Sequence, residues 1–98
     1  MKKLTKGEIF RLLSQNRELL SRYRIKKIRL FGSYVRNEQT DESDIDFLVE
    51  FESPISIFEH VHLINELAQI FGKKVEVLSV KALKPLLSET ILKEAEEL

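Results

Sequence analysis

Apolar positions recur along this chain with two different periods, and the switches between them mark out its elements. Ile9, Leu12, Leu13, Leu19, Leu20 and Tyr23 fall at helical spacing. Thr5, with Glu8 three residues on, forms a capping-box pattern ahead of them. Together they predict a helix over 5–22, with Asn16 interrupting the apolar stripe and Arg11, Arg17 and Arg22 at polar positions. Ile25–Phe31 reads as a first strand. Residues 33–37 suit one helical turn, and 37–43 a polar loop. From 44 to 51 the pattern alternates: Ile45, Phe47, Val49 and Phe51 share one face, and Asp44, Asp46, Leu48 and Glu50 the other.

The second half repeats the alternation of periods. Ser53-Pro54 suits a helix start, while Ser56 with Glu59 offers a second capping box, so two starts stay open. Ile57, Val61, Ile64, Ala68 and Phe71 predict the buried face of a helix that ends at Gly72. Lys74–Leu78 reads as a short strand, with Val75 and Val77 on one face and Glu76 on the other. A turn or short helix follows through Ala82–Lys84, and Pro85 interrupts it. Ser88 caps a predicted final helix carrying Ile91, Leu92, Ala95 and Leu98. The order is α-β-β-α-β-α. The excursion between the first two strands is too long for a tight hairpin and long enough for a crossover with a short helix. A small mixed β-sheet flanked by helices fits this order, an α/β (α+β) class. No repeat, linker or low-complexity segment divides the chain, so 1–98 is expected to be one domain.

Composition narrows the class. Ninety-eight residues, 43% hydrophobic and 33% charged, fit one modest globular core. The absence of cysteine excludes disulfides and thiolate metal sites. No apolar run approaches the roughly 20 residues of a membrane span, and the first residues lack the apolar core of a signal peptide. A cytoplasmic protein is expected. The zero net charge hides a polarity: residues 1–36 carry eleven Lys/Arg and two Glu, whereas 37–66 carry nine Asp/Glu and no Lys/Arg. A basic part beside an acidic one suits attraction of a nucleotide or an acidic partner.

The acidic part holds the candidate chemistry. Asp44 and Asp46 project from one face of a strand, with Cα atoms about 6.6 Å apart. Carboxylates that close repel each other, and burial without a partner costs stability. A divalent cation is the natural partner, because Mg²⁺ takes carboxylate oxygens together with substrate phosphates. Gly32-Ser33 follows the first strand directly. A glycine there lets backbone approach a ligand closely, and a helix starting at Ser33 offers free N–H groups to phosphate. A phosphate cradle on one strand end beside a carboxylate pair on the next describes a nucleoside triphosphate site.

Gly32-Ser33, ten residues, then Asp44-x-Asp46 resembles the signature of the DNA polymerase beta nucleotidyltransferase superfamily. Phe-Gly-Ser-Tyr-Val-Arg and Ser-Asp-Ile-Asp-Phe-Leu-Val are similar to its minimal branch, the MNT proteins. The resemblance implies the nucleotidyltransferase fold stripped to its core. It implies Asp44 and Asp46 as ligands of Mg²⁺, two ions in all, and Gly32 and Ser33 as holders of the ATP phosphates. It places Arg36 where the family is often basic, either touching phosphate or bracing Asp44 or Glu42. Asn37 stands where many relatives have Gly. The family's third carboxylate, usually Asp, falls on Glu76. Glu76 is then either a third ligand or an exposed strand residue paired with Lys74.

The activity implied is transfer of AMP from ATP to a protein hydroxyl, the protein acting as antitoxin to a HEPN ribonuclease and modifying its tyrosine. The alternative is a catalytically weak module that neutralises a HEPN partner by contact alone. A small-molecule nucleotidyltransferase would need an acceptor domain for which the chain has little length. The aromatics are scattered and form no base-stacking platform. His60 and His62 are two apart on a predicted helix, so they do not face one metal. Apolar area left by a thin sheet favours a homodimer or a hetero-oligomer.

Overall fold

A computed structural model of the chain describes residues 4–36, 38–40, 42–80, 93 and the backbone of 96–97. Thr5 starts the first helix: its side chain accepts from the Glu8 backbone N–H at 3.2 Å. The predicted helix over 5–22 is two, α1 (Lys6–Gln15) and α2 (Arg17–Arg22). Asn16 causes the break. Its side-chain Nδ2 donates to the Leu12 carbonyl at 2.7 Å, taking the acceptor its own N–H would use in a continuous helix. The backbone N–H bonds Leu13 instead.

Strand β1 (Ile25–Phe31) runs into a single 3₁₀ turn, Gly32–Tyr34. Strand β2 (Ile45–Phe51) returns beside β1, antiparallel, with Phe31 opposite Asp46 and Ile28 opposite Val49. The excursion between them therefore links antiparallel neighbours and is not the expected crossover. Helix α3 (Ile57–Phe71) then crosses to β3 (Val75–Ser79), which lies parallel to β2 with Asp46 opposite Glu76. Of the two possible starts, α3 uses the second: Ser56 and Glu59 exchange both capping-box bonds. It ends at Gly72, whose φ of 65° is the left-handed conformation the turn needs.

Glu96–Glu97 form a short strand, β4, antiparallel to β1. This corrects the expected final helix at its end: the outer edge of β1 offers unpaired backbone groups, and pairing with them overrides the helical pattern. Ser88, Ile91, Leu92, Ala95 and Leu98, and the turn near Ala82–Pro85, lie outside the described residues. The sheet order is β3-β2-β1-β4.

Among the described residues, α1, α2 and α3 pack on one face of this sheet. Ile9, Leu13, Leu19, Leu63 and Leu67 meet Ile28, Leu30, Ile45, Phe47 and Val49, all buried. The rings of Phe47 and Phe71 sit 5.8 Å apart. The buried stripe of α3 is Leu63, Leu67 and Phe71; of the expected stripe Phe71 is buried and Ile64 and Ala68 are half-buried against the core, whereas Ile57 is 69% exposed and Val61 47%. Both stripes satisfy a 3.6-residue period, and a narrow sheet covers only one of them. The other sheet face carries Arg29, Asp46, Leu48, Glu50, Glu76 and Leu78.

Candidate active site

The site forms where the end of β1 passes the start of β2. Phe31 pairs with Asp46, so the residue after it turns directly over the Asp46 side chain. That residue is Gly32, with φ of 81°. A Cβ built there would stand 2.7 Å from Asp46 Oδ2, closer than real Cβ atoms approach anything. Glycine is thus required twice, for its backbone angle and for the space taken by the carboxylate. The 3₁₀ turn continues through Ser33, whose carbonyl accepts from Glu38 N–H at 2.9 Å. Tyr34 is 1% exposed and packs into the core.

Parallel pairing of β2 and β3 adds Glu76. It lies opposite Asp46 in register, and the two side chains hydrogen-bond. Burial, the nearby charges of Glu76 and Asp44, and that bond push the Asp46 carboxyl up to about 6. Two carboxylates this close repel each other, so the pair favours a proton or a cation between them.

Asp44 stands one residue before β2. Its Oδ2 lies 3.8 Å from Lys74 Nζ, and the Lys74 carbonyl accepts the Ile45 N–H at 3.0 Å. Lys74 therefore pairs with Asp44 and not with Glu76. Among the described residues no three His, Cys, Asp or Glu side chains converge as a ready metal cage. Asp46 and Glu76 lie side by side in register, and the charge of Asp44, two residues before, acts on Asp46. Arg36 donates to Glu38 at 3.3 Å, a partner the sequence pattern did not suggest. Asn37 lies outside the described residues. His62 is exposed, while His60 Nε2 reaches the Val77 carbonyl at 3.1 Å, so the two do not form a metal pair.

Two further features were invisible in the sequence. Lys74 as a cross-strand partner of Asp44 depends on the parallel register. A cavity of about 280 Å³, lined by Phe51, Pro54, Ile55 and His60 among others, opens at the far end of β2 and contains none of the site residues. No helix among the described residues is long and apolar enough to cross a membrane.

Known proteins match this arrangement. The chain is 46% identical over 77 residues to a candidate protein adenylyltransferase of Methanocaldococcus jannaschii, covering 79% of this chain and 83% of that one. It is 36% identical over 95 residues to protein adenylyltransferase MntA of Thermococcus cleftensis, covering 96% of each. Its fold superposes on a candidate minimal nucleotidyltransferase with a TM-score of 0.85, at 30% identity and full coverage of both chains. A complex of tri-AMPylated Shewanella oneidensis HEPN toxin with MNT antitoxin gives a TM-score of 0.68 at 19% identity, covering 91% of this chain and 70% of that one, a likeness of fold. The Polymerase beta, Nucleotidyltransferase family matches residues 14–98. With the glycine turn, the carboxylates and the fold in agreement, the chain belongs to the polymerase beta nucleotidyltransferase family.

Proposed function

We propose that this protein transfers AMP from ATP to a protein hydroxyl with Mg²⁺, as the antitoxin of a HEPN ribonuclease whose tyrosine is the acceptor. The observation that carries the reading is the Gly32 turn pressed against Asp46, with Glu76 hydrogen-bonded beside it. The MntA relative named as a protein adenylyltransferase supports the transfer, and the AMPylated HEPN toxin held by an MNT antitoxin supports the kind of partner.

The residues fit a hard divalent cation. Their donors are all carboxylate oxygens, and the repulsion that raises the Asp46 carboxyl marks a place for positive charge. Asp44, Asp46 and Glu76 would hold Mg²⁺, two ions as the family implies, which neutralises the triphosphate when bound. Gly32 and Ser33 bring backbone N–H groups and a hydroxyl to the phosphate tail. The acceptor oxygen attacks the α-phosphorus, the bond to the β-phosphate bridging oxygen breaks, and pyrophosphate leaves. The ionised Asp46 carboxylate, made more basic by burial and by the neighbouring acids, takes the hydroxyl proton. Arg36, held by Glu38, stands close in sequence to the phosphate turn as a cationic neighbour.

Incubation with α-labelled ATP, Mg²⁺ and a cognate HEPN protein should move label onto a HEPN tyrosine. A folded complex that stays unlabelled would overturn the transfer. A second reading has its own observation, Glu76 in place of the family's usual Asp: the module neutralises a HEPN partner by contact. If the Asp44→Asn/Asp46→Asn double variant protects cells from the toxin as well as wild type does, contact is sufficient.

A further inference from the structure

Lys74 stands at the same end of the sheet as the carboxylates. It is the residue before β3, and its carbonyl accepts the Ile45 N–H at 3.0 Å, which fixes its backbone beside the start of β2. Ile45 pairs with Val75 and Asp46 with Glu76, so one step back the register sets Lys74 against Asp44. Lys74 Nζ lies 3.8 Å from Asp44 Oδ2. On the other side of β2, β1 ends in the Gly32 turn, about 10 Å from β3 at two strand spacings. The Gly32-Ser33 backbone and the Lys74 ammonium thus flank the start of β2 from opposite sides.

This ion pair does little for the fold. The Lys74 side chain is 72% exposed and that of Asp44 39%. Water screens both charges, and a long side chain loses freedom in making the contact. Charge balance at the site is the larger consideration. Asp44, Asp46 and Glu76 bring three negative charges to a place that, on the transfer reading, also admits a triphosphate. A lysine at the rim is a mobile point charge suited to phosphate. The Asp44 carboxylate cannot hold that ammonium and a hard divalent cation at full strength together, because the two positive charges repel.

We infer that Lys74 is a substrate-binding residue that changes partners. It holds Asp44 until a divalent cation takes that carboxylate, and then holds a phosphate oxygen of the nucleotide. The weakness of the ion pair makes the exchange cheap, and no covalent bond is made or broken. The inference rests on the transfer reading and adds to it a residue outside the Gly-Ser and Asp-x-Asp pattern. Lys26 supplies a matched control. Its Nζ also lies 3.8 Å from a carboxylate of β2, Glu50 Oε1, at exposures of 58% and 34%, but toward the opposite end of that strand.

Titration calorimetry of the full chain tests the exchange with two probes, Mn²⁺ alone and α,β-methylene-ATP in saturating Mg²⁺. Lys74→Met should bind Mn²⁺ about two- to fivefold more tightly, because Asp44 loses a competing cation. It should bind α,β-methylene-ATP about tenfold more weakly, because one charge-assisted contact is gone. Lys74→Arg, which keeps the charge, should recover most of the nucleotide affinity. Lys26→Met should change neither affinity. Opposite signs for the two probes are the signature of exchange, since removing a lysine that only braced Asp44 would weaken both or neither. Lys74→Met with wild-type affinity for the nucleotide overturns the inference and leaves the transfer reading standing, as does a loss for both probes. A wild type that binds no nucleotide overturns the transfer reading itself, and this inference with it.

Discussion

Replacing Gly32 with alanine should harm function far beyond its effect on folding. Two costs are imposed together. The φ of 81° is a conformation that costs a Cβ-bearing residue about 1–2 kcal/mol. The new Cβ also stands 2.7 Å from Asp46 Oδ2, so the carboxylate must move by several tenths of an ångström to regain ordinary contact. The end of an aspartate can rotate, but this one is hydrogen-bonded to Glu76 and the motion pulls that bond apart. Misplacement of a reacting group by about 1 Å can cost roughly 10²-fold in rate. Gly32→Ala should therefore lose about 1–2 kcal/mol by urea unfolding while transfer of labelled AMP falls by about 10- to 100-fold. Gly72 supplies the control. Its φ is 65°, yet nothing lies within 4 Å of an added Cβ. Gly72→Ala should show a comparable loss of stability, about 1 kcal/mol, with transfer per folded molecule unchanged. Equal activity of the two variants would refute the claim that the Gly32 turn and Asp46 share one volume.

Three other outcomes follow from the same geometry. The Asp46 carboxyl is raised from 3.8 to about 6, so its contribution to stability is complete below pH 3.8 and is lost as pH rises through 6; Asp46→Asn should flatten that slope in urea titrations, unfold later than wild type at pH 7, and transfer no label. Burial, then the hydrogen bond and charge of Glu66, push the Tyr23 phenol up to about 12, so its contribution is present below pH 10 and is lost as pH rises through 12; Tyr23→Phe should remove that alkaline component from the difference between the two unfolding curves. Leu67→Ala, fully buried, should cost about 2–5 kcal/mol, whereas Val61→Ala, 47% exposed, should change monomer stability by less than about 0.5 kcal/mol; similar losses at the two positions in thermal or urea unfolding would return the core stripe to Ile57 and Val61.

The chain's own chemistry determined the features that depend on near neighbours. Thr5, Ser56 with Glu59, and Gly72 announced helix ends because a cap is a bond between residues three or four apart. The alternation of 44–51 announced strand β2, and Gly32-Ser33 at its distance from Asp44 and Asp46 announced the family. Tertiary structure decided what depends on distant partners. Leu63 and Leu67 displaced Ile57 and Val61 from the core because a helix with two apolar stripes buries whichever one the sheet width admits. Glu76 joined Asp46, and Lys74 joined Asp44, because the parallel register of β2 and β3 set them side by side. Glu96–Glu97 became strand because β1 had an open edge. Local periodicity and capping are written in a window of a few residues; register, sheet width and edge pairing are fixed only when segments far apart along the chain compete for the same apolar surface and the same backbone hydrogen bonds.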